Sequence, residues 1–204
     1  MKIEAYTEDQ RDALQEITNI AMGQAGSSLA QVLDAFVVLS VPRVRIVDVE
    51  HVPEAMREMV EEHELITSTR QAFYNKLRGE ALVIFDRRGC NDLADLMGHE
   101  EGDEEFNEDE LLLDVSNILV GAVLTGLGEQ LETEFGFSAP SVIAKRVPLD
   151  SLLAHEDLDW SFALLIEVNF SLEERQFKCH LIMLMPEESI ELMREALNQI
   201  LESF

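Results

Sequence analysis

E-D-Q-R-D-A-L-Q-E-I-T-N-I-A-M-G-Q-A-G-S-S-L-A-Q-V-L, residues 8–33, is the stretch whose reading decides the fold. Leu14, Ile17, Ile20 and Ala21 recur at helical spacing, and Thr7 followed by Gln10 has the form of a capping box. The spacing predicts one long helix ending near Leu33. A single face of that helix carries Asp12, Glu16 and Asn19 at i, i+4 and i+7. Its second half is small-faced, with Gly23, Ala25, Gly26, Ser27 and Ser28, which costs helix propensity but lets another backbone come close. Beyond it, β-branched Val37, Val38, Val41, Val44, Ile46 and Val47 predict an edge or bent strand over 35–49, interrupted by Pro42.

The same polar set returns as Glu110, Asp114, Asn117 and Pro140. Asn117 follows Asn19 by 98 positions, Pro140 follows Pro42 by 98, and Gly121 follows Gly23 by 98. Leu181 and Leu192 follow Leu82 and Leu93 by 99, so the repeat continues into the later strand and helix of each half. In the first half, strands are expected over 64–73 and 77–85 around Asn75, then a short helix over 89–97. In the second, a helix is expected over 108–134, strands over 138–147, 160–170 and 177–185, and a helix over 186–201 with Pro186 as its first residue. Trp160, Phe162, Leu164, Ile166, Val168 and Phe170 alternate with period two, which predicts a sheet with one buried face. The expected fold is α+β, a single domain over 1–204 built from an internal repeat (about 1–100 and 101–204). Two pseudo-symmetric α-β-β-β-α halves place the two long helices on one face of a β-sheet.

Composition narrows the function classes. At 204 residues and 47% hydrophobic, the chain can bury a sizeable core. Its 41 Asp and Glu against 15 Lys and Arg leave a net charge of −26, which argues against nucleic acid or an anionic membrane as partner and favours basic protein surfaces. Acidity of this size also serves solubility, so charge alone does not choose a partner. No basic segment leads into an apolar one as in a signal peptide, and no uninterrupted apolar run nears the ~20 residues of a membrane span, so a cytoplasmic protein is expected. Cys90 and Cys179 lack the spacing of a metal or redox pair and read as packing residues. Residues 99–110 hold eight Asp and Glu around Gly102; without the alternating ligand order of a calcium loop, they read as a solvated connector.

A carboxylate and an amide three residues apart on a rigid helix do not readily form a covalent intermediate; they position things. Asn offers a donor and an acceptor and can hold a water in a chosen orientation, while a nearby acid can fix a cationic group. Taken singly, Asp12 and Glu16 also read as solvated helix residues, and Glu110, three after Asn107, as a capping-box acid. Asn is a mediocre helix former, yet Asn19 and Asn117 both fall mid-helix beside apolar neighbours. Duplication of the Asn-to-Pro spacing turns the balance toward function.

Asp12, three residues, Glu16, two residues, Asn19, twenty-two residues, Pro42 resembles the signature of the CheC/CheX/FliY chemotaxis phosphatases, whose first position is Asp or Ser. The resemblance extends over 78–98, the second motif and the closing strand and helix. Two motifs with no appended flagellar-switch domain point to the CheC-type branch. It implies an aspartyl-phosphate phosphatase, a hydrolase acting on a phosphorylated CheY-type response regulator in two-component signalling. The regulator brings its own Mg²⁺ and autocatalytic groups, so no cofactor or metal of the chain's own is implied. By similarity, Asn19 orients the attacking water and Glu16 engages the regulator's active-site lysine. Asn117 and Asp114 would do the same at a second site, with Asp12, Pro42, Glu110 and Pro140 supporting. The second motif departs from the pattern, with Glu110 where Asp or Ser is usual and Asp114 where Glu is usual. A misplacement of about 1 Å can cost ~100-fold in rate, so the second site is expected to be the weaker.

The rival reading is a non-catalytic adaptor that senses the phosphorylated regulator and binds a CheD-type receptor deamidase. Gly121 to Gly128 would be its docking stretch, against close packing on the first helix. A monomer is expected, since one chain supplies both copies of the site. No GxSxG elbow, Walker loop or HExxH is present; Gly126, Leu127 and Gly128 lack the third glycine of a nucleotide loop, and the five histidines are scattered.

Overall fold

The computed structural model describes residues 5–58, 65–86, 93, 107–153, 162–172 and 178–202. In chain order the elements are α1 (Glu8–Leu33), β1 (Val37–Leu39), β2 (Arg43–Asp48), α2 (Val52–Arg57), β3 (Leu65–Asn75) and β4 (Gly79–Asp86). There follow α3 (Glu108–Gln130), β5 (Phe135–Phe137), β6 (Ser141–Pro148), α4 (Leu149–Leu153), β7 (Phe162–Leu172), β8 (Lys178–Met185) and α5 (Glu187–Glu202). The expected capping box starts α1: the Thr7 hydroxyl accepts from the Gln10 N–H, and the Gln10 side chain accepts from the Thr7 N–H. Asn107 caps α3 by accepting from the Asp109 and Glu110 N–H groups. Asp34, just past α1, and Glu132, just past α3, both take left-handed φ angles, 47° and 48°, and they too are 98 positions apart.

All eight strands form one antiparallel sheet. Strands β1 and β2 pair with successive stretches of β7, then come β8, β4 and β3, and β5 and β6 pair with β3 at the far edge. The halves therefore exchange their leading strands: β1 and β2 of the first half lie on β7 of the second, and β5 and β6 on β3. At the centre, Val83 of β4 lies opposite Leu181 of β8, and those residues are 98 apart. The pseudo-two-fold axis passes between them, perpendicular to the sheet, so α1 and α3 run antiparallel.

Each half carries four strands where three were expected. A proline cannot donate to a ladder; Pro42 falls in the gap that cuts the expected 35–49 strand in two, and Pro140 falls between β5, which lies before the expected 138–147 strand, and β6, which takes that strand's place. A short helix also lies between the second and third strands of each half. The sheet is covered on both faces, which corrects the expectation of one buried face. Leu164, Ile166, Val168 and Phe170 pack with α1, α3 and α5, whereas Ala163 and Leu165 of the same strand pack with Val52 and Met56 of α2 and Leu149 and Leu152 of α4. The β3–β4 hairpin turns at Asn75, whose φ is 100°. Gly79 follows, and a Cβ there would lie 2.2 Å from the Leu184 carbonyl. Pro186 immediately precedes α5 rather than opening it.

Gly26 and Gly126 are packing residues, whereas Gly23 is exposed with open space beside it. A Cβ on Gly126 would lie 2.7 Å from Ala21 Cα, so α3 approaches α1 to backbone contact there, and Gly26 of α1 receives the Leu39 side chain. Among the described residues α3 alone is long and apolar enough to cross a membrane, yet Leu112, Leu119, Leu124 and Leu127 are fully buried against α1 and the sheet. Cys179 is buried, and burial together with the Asp86 charge pushes its thiol well above the usual range. Most of the expected 89–97 helix and acidic connector, with Cys90 and Trp160, lies outside the described residues; Leu93 is helical and buried.

Candidate functional site

On α1, Leu14, Ile17, Thr18 and Ala21 face inward, which turns Asp12, Glu16 and Asn19 to solvent on the opposite side. Leu112, Val115, Ser116 and Leu119 do the same on α3 and leave Glu110, Asp114 and Asn117 exposed. Burial, not polarity, sets the orientation: the apolar stripe fixes which way each helix faces, and the motif occupies what remains. No ion pair or side-chain hydrogen bond engages Asp12, Glu16, Asn19, Glu110 or Asp114 among the described residues. The Glu110 carboxylate does not close the capping box that its spacing from Asn107 suggested.

Because the helices are antiparallel and Ala21 meets Gly126, the two motifs sit toward opposite ends of the helix pair. At 1.5 Å per residue the asparagines lie about 16 Å apart along the axes. Each motif proline closes a Ser-x-Pro loop, Ser40 to Pro42 and Ser138 to Pro140. Ser40 is held on β7, its N–H donating to the Asn169 carbonyl and its hydroxyl accepting from the Asn169 N–H, at 3.0 and 3.1 Å. Ser138 is held the same way on Ala72 of β3, at 2.9 and 3.1 Å. These serines are 98 apart, a signal present in the sequence but overlooked beside the prolines. Pro42 is buried and shares a cleft of about 420 Å³ with Gln15 of α1, the neighbour of Glu16.

The two sites differ beneath the asparagine. Gln71 of β3, 1% exposed, donates one N–H to Asn117 Oδ1 at 3.1 Å and the other to the Ser138 carbonyl at 2.6 Å, while its own Oε1 is buried without a partner. By sheet register, Phe73 opposite Phe137 matches Phe170 opposite Leu39, so the place of Gln71 is taken in the other copy by Val168. Asn19 has no such holder. Spacing gave no sign of Gln71, which lies 46 positions before Asn117 on a strand of the other half. The first site thus offers a free amide and a free Glu16, and the second an anchored amide and the shorter Asp114. Among the described residues, no three His, Cys, Asp or Glu side chains converge as a metal site.

Fold and site together define an α+β protein that displays a duplicated acid-and-amide pair from two antiparallel helices on one sheet. Residues 10–46, which span Asp12 to Pro42, match the model of the CheC-like family. The chain is similar in structure to FliY of Thermotoga maritima, with a TM-score of 0.72 at 21% identity, covering 95% of this chain and 98% of that one. It is also similar to a CheC-like superfamily protein from Shewanella sp. PV-4, with a TM-score of 0.57 at 12% identity, covering 88% and 99%. The H. pylori FliM chain crystallised in a FliG-FliM complex has the same fold, with a TM-score of 0.61 at 12% identity, covering 93% and 100%. The chain has the CheC-like fold, and its first motif lies within the segment that matches the CheC-like family.

Proposed function

We propose that the chain is a phosphatase for the phosphoaspartate of a CheY-type response regulator, working mainly through Glu16 and Asn19. The observation that carries this reading is the pairing of two exposed, unengaged side chains on one rigid helix, in the segment that matches the CheC-like family. Hydrolysis of an acyl phosphate needs a water in line with the phosphorus–oxygen bond that breaks; water adds to phosphorus, and the aspartate carboxylate leaves. The regulator's Mg²⁺ neutralises the phosphoryl oxygens. Asn19 accepts a hydrogen from the water and so turns a lone pair toward phosphorus. Glu16 draws the regulator's lysine aside as an ion pair and fixes the docked geometry. The acidic surface, at net −26, suits a partner whose binding face presents that lysine.

The adaptor reading retains one supporting observation: a protein of the same fold was crystallised with FliG, so this sheet-and-helix frame serves binding as well. The readings part at Asn19. Decay of the phosphorylated regulator is measured with Mg²⁺ present, alongside binding of the beryllofluoride-loaded regulator. A phosphatase shortens the decay, and Asn19→Ala removes most of the acceleration while sparing affinity. Unchanged decay with measurable binding would make the chain a phosphorylation-sensing adaptor.

A further inference from the structure

We infer that Gln71 is a positioning residue for the second site: it holds the Asn117 amide in place for the attacking water and ties it to the loop that carries Pro140. This rests on the phosphatase reading and deepens it. The Ser138 carbonyl can only accept, so the Gln71 atom 2.6 Å from it is the nitrogen. That nitrogen carries a second hydrogen, which it donates to the Asn117 side chain at 3.1 Å, so the atom it meets there is Oδ1. An amide oxygen has two lone pairs, and Gln71 occupies one of them. The other lone pair and both Nδ2 hydrogens stay available on an exposed side chain, so the hold fixes the amide and leaves its capacity to orient a water intact.

The residue beside Asn117 is held in the same way. Ser116 donates its hydroxyl hydrogen to the Leu112 carbonyl at 2.6 Å, so in its 2.6 Å bond with Thr69 the threonine is the donor. Thr69 and Gln71 lie two apart on one face of β3 and seat this turn of α3 by two directional bonds. By register their places in the other copy are taken by Ile166 and Val168, which offer no side-chain hydrogen bond to Asn19. Val168 also shows that the fold accepts an apolar residue at this place. Gln71 instead leaves its own Oε1 buried and without a partner among the described residues, a loss of stability that packing does not require. The ordering of Asn117 and of the Ser138 loop is what the glutamine adds.

The test follows phosphoaspartate decay with Mg²⁺ over a range of regulator concentrations. It uses the full chain in two backgrounds: Asn19→Ala, where only the second site acts, and Asn117→Ala, where only the first does. Gln71→Met keeps the side-chain length and removes both hydrogen bonds. Added to Asn19→Ala, it should lower kcat roughly two- to tenfold, the effect of releasing one side chain, with KM and affinity for the beryllofluoride-loaded regulator unchanged. Added to Asn117→Ala, it should lower kcat no further, because it acts through Asn117. The urea midpoint should not fall in either background, and Gln71→Leu should behave alike. Side-chain ¹⁵N relaxation reads the hold directly: the Asn117 amide should be more ordered than that of Asn19 and should loosen in Gln71→Met. Undiminished kcat in a folded Gln71 variant of Asn19→Ala, an equal loss in both backgrounds, or no acceleration by Asn19→Ala itself would overturn the inference. Wild-type protein that leaves the decay unchanged would overturn the phosphatase reading and the role given to Gln71 with it, while an ordered Asn117 amide would still establish the hold.

Discussion

Asn19 and Asn117 occupy equivalent places in the repeat and differ in what lies under them, Val168 in one case and Gln71 in the other. The difference leaves the Asn19 amide free at both ends and holds the Asn117 amide by one hydrogen bond accepted at its Oδ1. Reach matters alongside it. Glu16→Asp removes one methylene from the first site's acid and should lower the accelerated decay by roughly 10- to 100-fold with little change in regulator affinity, read by comparing turnover with binding. At this scale the motif residues were legible, because a polar residue repeated at a fixed interval on a helix face stands out against its apolar neighbours. Gln71 was not, because it reaches Asn117 through the tertiary packing of β3 under α3 and has no counterpart in the repeat. A polar residue in an otherwise buried strand is a faint signal on its own.

The long helices read correctly from their caps and stripes, and the strands followed from β-branched runs. The split of the first leading strand was missed because Pro42 was read as a bend, and β5 because the second leading strand was expected to begin only at Ser138; a missing N–H, together with a serine that binds across to the neighbouring strand, ends one ladder and starts another. Helices α2 and α4 escaped notice because five or six residues are too few to show a period. The glycines of α3, weighed between docking and packing, belong to packing at Gly126. Gly126→Ala should destabilise the chain by about 1–3 kcal/mol in urea unfolding, since the new methyl would meet Ala21 at 2.8 Å and press the helices apart. In β8, burial keeps Cys179 protonated. In a Cys90→Ser background it should resist a thiol reagent at pH 8 until denaturant exposes it, and rapid labelling of native protein would show that β8 opens readily.

Over the whole molecule, the sequence repeat and the sheet disagree about what a half is. The repeat divides the chain near residue 100, whereas the ladder places β1 and β2 on β7 and β5 and β6 on β3. A chain cut there leaves each piece with leading strands that have lost their partner. Residues 1–100 alone should therefore show no cooperative unfolding transition, and mixing with 101–204 should restore one; a cooperative transition in either fragment alone would contradict the exchanged sheet. The interleaving fixes α1 against α3 and presents both motifs on one face at a set separation.

The most direct measurement is the lifetime of the phosphorylated CheY-type regulator with Mg²⁺ in the presence of wild-type chain or the Asn19→Ala/Asn117→Ala double variant. A shortened lifetime is expected with wild type, and a return to the unassisted lifetime with the folded double variant. A double variant as active as wild type would contradict it, because hydrolysis would then owe nothing to the repeated amides.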